Sequence, residues 1–278
     1  MRRDIHIRKK KKITLNKENK KFLYLIFALS VFLIICFIIY FYFLQTTLLA
    51  NHFESDSLKF SYLNEEIPFS IKKIILFSSA TANSNSINQQ LTLDISQYCD
   101  IGIHLNNTLA TDTLINSLYI DNITISSPEI GTPYLYKKNI SDLGKCSFNK
   151  DNIINESFSF NIVDSSQNID YSNFELYNNA STPITFGFYN ENIKTDFFTN
   201  DSEVLYNGLL LKDAMIPLSS LNCNISFRIN IITNSNEHYI CNMNFDIPLE
   251  NSDNSIYDTG YITKEIESNE INKFIRIK

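Results

Sequence analysis

Residues 223–247 read CNISFRINIITNSNEHYICNMNFDI. Cys223, Ile225, Phe227, Ile229 and Ile231 alternate with Asn224, Ser226, Arg228 and Asn230. Tyr239, Cys241, Met243, Phe245 and Ile247 then alternate mainly with polar residues. A period of two on both arms gives each strand one buried and one wetted face. The polar cluster 233–237 between them is turn chemistry. Both apolar sets fall on odd numbers, so residues facing one another must sum to an even number. That parity favours a loop of three or five residues, or a bulge, over a two-residue turn. Centring the hairpin on Ser235 sets Ile229 against Cys241 and Cys223 against Ile247. Cys223 and Cys241 then share a face without meeting, so the register predicts no bond between them.

The same pattern extends outward. Leu91, Leu93, Ile95, Cys99, Ile101, Ile103 and Leu105 hold one phase, broken by Gln97. Phe158, Phe160 and Ile162 make a short strand, and 174–177 and 184–188 flank an Asn-rich turn. The segments 67–77 and 118–125 are more continuously apolar and predict strands with fuller burial. The stretch 84–90 reads as a loop, 209–214 as a single helical turn, and 271–278 as an edge strand. Turn clusters recur at the spacing of a sandwich or barrel. The expectation is an all-β fold, an antiparallel β-sandwich, either one large or two small with a seam near 151–155.

Residues 22–44 read FLYLIFALSVFLIICFIIYFYFL, an apolar run with no charged residue. A helix of roughly 20 such residues crosses a bilayer core. In residues 1–21 ten basic residues oppose two acidic ones, a net charge of +8, whereas residues 45–58 carry no Lys or Arg. Basic flanks stay on the cytoplasmic side. The expected arrangement is therefore a cytoplasmic basic segment 1–21, a transmembrane signal anchor 22–44 in the lipid bilayer, a stalk 45–57 and an extracytoplasmic domain 58–278. The run is longer than a cleavable h-region. At Leu48-Leu49-Ala50 a Leu stands where a small residue is needed, and Ala80-Thr81-Ala82 lies too far from the run. A retained, single-pass anchor is expected.

Net charge is −6, so removing the +8 segment leaves −14 on the remainder. An acidic exterior disfavours phosphate backbones, and no nucleic-acid partner is expected. The basic segment is explained by topology and anionic lipid. Abundant Asn, Ser and Thr make the seven N-x-[ST] sequons, from Asn106 to Asn224, weak evidence of glycosylation. Cys36 lies in the apolar run; Cys99, Cys146, Cys223 and Cys241 allow three disulfide connectivities, and a domain of this size also folds with free buried thiols.

No motif for nucleophilic catalysis, phosphate cradling or zinc is present. His6, His52, His104 and His238 are isolated in sequence, the last two on or beside the polar phase of strands. Glu65 and Glu66, being adjacent, point to opposite faces if extended. Glu250, Asp253 and Asp258 are oxygen ligands in principle, but their spacing misses the calcium-loop pattern and its Gly. No catalytic, cofactor-binding or metal-binding residue is assigned, and no cofactor.

The phrases FSIKKIILFSS (69–79), SLYIDNITISS (117–127), GTPYLYKKN (131–139) and IPLSSLNCNISFRINIITN (216–234), behind a single apolar span, resemble uncharacterised single-span surface proteins of AT-rich Gram-positive-type bacteria. The resemblance implies a bacterial envelope protein with a β-rich exterior and brings no activity. The expected function is non-enzymatic: a structural or protein-interaction role toward an envelope protein or wall component. The alternative is a sensor or ligand-binding ectodomain that acts through a membrane partner.

Overall fold

The structure, a computed structural model, describes residues 67–87, 90–108, 113–198 and 204–277. The basic segment, the apolar run and the stalk lie outside the described residues, as do Glu65 and Glu66. Among the described residues no helix is long and apolar enough to cross a membrane.

Among the described residues twelve strands form two six-stranded sheets. The first sheet runs, in spatial order, β11 (Tyr261–Glu267), β1 (Phe69–Ile87), β2 (Gln90–Asn107), β8 (Ile184–Phe198), β4 (Thr132–Lys137) and β5 (Ile153–Ile154). The second runs β12 (Ile275–Ile277), β10 (His238–Asp246), β9 (Asn224–Thr233), β3 (Ile115–Ile125), β6 (Phe158–Val163) and β7 (Glu175–Tyr177). Neighbours are antiparallel except β6 and β7, which run parallel. The all-β expectation therefore holds, and the second sheet is mixed rather than purely antiparallel. The described residues all belong to one compact unit. The candidate seam at 151–155 falls on β5, which pairs with β4 inside the first sheet.

The hairpin takes the register that its parity demands, with Cys241 opposite Ile229 and Phe245 opposite Ile225. Thr233 N–H donates to the Glu237 carbonyl at 2.9 Å, which leaves three residues in the loop. The last of them, Asn236, has φ +61°, a left-handed conformation that Asn tolerates better than most side chains. The odd-numbered face meets the first sheet. Phe227 packs edge-on against Phe186 of β8 at 5.3 Å and against Phe245 at 5.9 Å, so one aromatic run ties the sheets together.

Three expectations need correction. Residues 84–87 and Gln90 are strand: the β1–β2 ladder continues to Ile87 opposite Gln90. Asn83 and Ser84 are exposed, and the polar run 83–86 prints no hydrophobic period. Fuller burial of 67–77 and 118–125 also fails. A bulge between Ile71 and Lys73 resets the phase, so that Phe69, Ile71, Ile74 and Leu76 all point inward from a run that looks continuously apolar. In β3 a bulge between Asp121 and Thr124, with Asn122 at φ +50°, does the same. The expected helical turn is the short helix Leu209–Asp213. Its Leu210 and Leu211 join Leu93, Ile95, Leu249 and Ile256 in a second, smaller apolar cluster.

Phe227 is 3% exposed. Phe227→Ala should cost about 3–5 kcal/mol in chemical denaturation, the range for deleting a buried ring. Asn244→Ala, on the wetted phase of β10, should stay within about 0.5 kcal/mol. Equal effects at the two positions would refute the register.

Candidate functional site

β2 places Cys99, Ile101 and Ile103 in the inter-sheet core, so Tyr98, Asp100, Gly102 and His104 must point to the opposite face of the first sheet. In a simple sandwich that face is wet. Here residues 138–150 fold back across it as a strap. The strap leaves β4 at Lys138, makes a 3-10 turn at Ile140–Asp142, passes Gly144 at φ +83° and returns through a second turn, Lys150–Asn152, into β5. Phe148 fastens it, stacking on Tyr189 at 4.0 Å and meeting Tyr136 edge-on at 5.4 Å. Tyr98, Tyr136 and Tyr189 are the buried layer beneath. Tyr136 lies over Gly187 of β8, where any Cβ would collide with its ring.

Two charges lie in this layer. Asp100 is 3% exposed and Lys138 1%. Lys138 Nζ donates to Asp100 Oδ1 and to the Lys145 carbonyl. The Gly144 N–H donates to Asp100 Oδ2 at 2.5 Å. Thr185 Oγ1 donates to the Lys138 carbonyl at 3.0 Å and fixes the backbone there. The ammonium is 5.4 and 5.9 Å from the ring centroids of Tyr98 and Tyr136, within cation–π range. Burial raises the Asp100 carboxyl above its ordinary value, against the opposing pull of Lys138 and the Gly144 N–H. Burial also lifts the Tyr98 phenol to about 12, and the Tyr136 phenol further still.

Beside the pair lies a cleft of about 370 Å³, walled by Ile75, Phe77, Leu143 and Pro183, with Asp100 and His104 among its few polar groups. His104 is held below its ordinary pKa, first by burial and then by the cations of Lys73 and Lys72, which favours the neutral imidazole. The site thus combines an apolar hollow, a neutral imidazole and a sealed amine–carboxyl contact.

His238 stands elsewhere, on the outer face of the second sheet. Arg228 grips Asp121 with two hydrogen bonds, Nε at 2.9 Å and Nη2 at 2.8 Å. Asn230 Nδ2 donates to Asp121 Oδ1 at 2.8 Å, so its Oδ1 faces His238 Nε2 at 3.1 Å. Because that oxygen only accepts, the proton of His238 sits on Nε2. The acidic turns are occupied by local capping. Asp164 Oδ1 accepts from Ser166 N and Oγ at 2.8 and 2.6 Å, and Asp170 does the same for Ser172 at 2.9 and 2.6 Å. Asp258 accepts from Ser255 Oγ at 2.9 Å. Among the described residues no group of three or more His, Cys, Asp or Glu side chains could hold a metal ion. His6, His52 and Cys36 lie outside the described residues. Cys99, Cys223 and Cys241 are buried free thiols, and Cys146 is an exposed one.

Sequence reasoning singled out His104 but not Asp100 or Lys138. Asp100 sits on the polar phase of its strand and Lys138 in a Lys-Lys pair, both ordinary marks of solvent exposure. No protein-family model, curated protein or solved structure matches the chain.

The Asp121 carboxyl is held below its ordinary 3.8, chiefly by Arg228. A depressed carboxyl stabilises the fold above its unfolded pKa and loses that contribution as pH falls through the folded value. Asp121→Asn should therefore cost about 1 kcal/mol at neutral pH, the upper range for a partly exposed pair. In thermal melts the gap to the natural protein should close as the pH falls below 3.8. A gap that widened on acidification would contradict the assignment.

Proposed function

We propose that this chain is an envelope protein whose residues 22–44 cross the membrane once and whose residues 58–278 stand on the extracytoplasmic side, in a structural or protein-interaction role rather than a catalytic one. The observation that carries the reading is the uncharged run 22–44 between a +8 segment and an acidic remainder of −14. Orientation follows the Lys and Arg beside the span, ten in residues 1–21 and none in 45–58. The β-sandwich supports it indirectly, since this architecture presents loops and sheet edges to partners while its core stays rigid. The edges available are β11 and β5 on one sheet and β12 and β7 on the other. The resemblance to single-span surface proteins of Gram-positive-type bacteria points the same way, with an envelope protein or wall component as partner.

A second reading, a ligand-binding ectodomain that acts through a membrane partner, is favoured by the cleft of about 370 Å³ beside Asp100, which is within the size range of small-molecule sites.

Protease added to intact spheroplasts should digest the region 60–278 and spare an epitope at Met1. Protection of the C-terminal region with loss of the Met1 epitope would refute the proposed topology.

A further inference from the structure

We propose that Lys138 and Asp100 are joined by an intramolecular amide, formed by condensation of the lysine amine with the aspartate carboxyl inside the folded domain. The inference rests on the geometry of the strap and stands whichever side of the membrane the domain occupies.

A lysine ammonium has three N–H donors and a carboxylate several lone pairs, and burying both unsatisfied is costly. Among the described residues Lys138 Nζ has two oxygen partners, Asp100 Oδ1 and the Lys145 carbonyl, and otherwise faces the rings of Tyr98 and Tyr136. Asp100 Oδ1 takes the lysine, and Oδ2 accepts from the Gly144 N–H. An amide between the two side chains keeps one N–H and one carbonyl oxygen. The Lys145 carbonyl and the Gly144 N–H are the one acceptor and one donor that such an amide requires. The partners present match the condensed product better than the separated charges.

The same groups suit the reaction. The reaction begins with transfer of a proton from the Lys138 ammonium to the Asp100 carboxylate that it already touches, which frees the amine lone pair. The amine lone pair then adds to Asp100 Cγ. The Gly144 N–H, 2.5 Å from Oδ2, is placed to hold the oxyanion that develops there. The Lys145 carbonyl accepts an amine N–H and orients the nucleophile. The bond from Cγ to Oδ1 breaks, and Oδ1 leaves as water with the carboxyl proton and one amine proton. One C–N bond forms, one C–O bond breaks, and nothing is oxidised or reduced. The cleft that reaches Asp100 and Gly144 gives the water a way out.

The bond would also have a distinct mechanical position. Asp100 on β2 and Tyr136 on β4 both lie opposite Gly187 of β8, so β8 separates the two linked segments. The amide would staple β2 to the end of β4 across the intervening strand, closing a chain separation of 38 residues.

Mass spectrometry of the full-length protein, extracted from membranes in detergent and digested with trypsin, tests the bond. The expected result is a branched peptide joining Lys138 to Asp100, lighter by one water than its two components, with no cleavage after Lys138. Lys138→Arg keeps the cation but cannot form this amide, and should yield only linear peptides and lose the missing water. Linear peptides at their full masses from the natural protein would overturn the proposal, whether or not the Arg variant folds. A water still missing from the Arg variant would also overturn it, because the loss would then lie elsewhere.

Discussion

The contact between Lys138 and Asp100 closes a layer that a two-sheet fold does not require. The core between the sheets is complete by itself, with β2 and β8 contributing Cys99, Ile101, Phe186 and Phe188 to it. Covering part of the other face of the same strands buries a second, smaller layer on that side of the first sheet. Tyr98, Tyr136 and Tyr189 supply the apolar surface, and Phe148 of the strap supplies the lid. The strap has little regular structure to hold it. Its placement depends on a few contacts, and those at Asp100 tie it through both a side chain and the backbone of Gly144.

That arrangement sets an energetic condition. Removing two charges from water costs several kcal/mol for each, and their attraction offsets this only with good geometry and satisfied remaining valences. A pair held in this way is weak as a source of stability and strong as a source of specificity: without it, the strap would have to cover an uncompensated charge. Conversion to an amide removes both charges while keeping the same neighbours. Gly187 is part of the same arrangement, because only the absence of a side chain on β8 lets Tyr136 lie flat beneath the strap. On the second sheet the comparable residues remain partly exposed, and the Arg228–Asp121 pair sits among hydrogen-bonding neighbours rather than under a lid.

Much of the sandwich could be read from the sequence wherever one face is buried and the other wet. The 223–247 hairpin has that form, and parity together with a turn centred on Ser235 placed Ile229 opposite Cys241. The same logic failed at 67–77 and 118–125, because a bulge inserts one residue and rotates everything after it, so two alternating segments add up to one apolar run. It failed at 84–90 because the polar run Asn-Ser-Asn-Ser at 83–86 has no apolar period to show. The site was less legible for a related reason. Whether Asp100 is wet depends on a strap that arrives from elsewhere in the chain, and the polar phase of a strand carries no mark of being covered later. Gln97 showed the opposite: a polar residue on the apolar phase, it is indeed fully buried.

Amide hydrogen exchange on the full-length protein, followed by mass spectrometry, tests the closed strap most directly. If Lys138, Gly144 and Phe148 pin the strap over the first sheet, the Gly144 amide, which donates to the buried Asp100 carboxyl, should exchange far more slowly than the amides of the exposed turn 164–170. Exchange of the Gly144 amide as fast as that of the exposed turn 164–170 would contradict it, and would leave the outer face of the first sheet open to water.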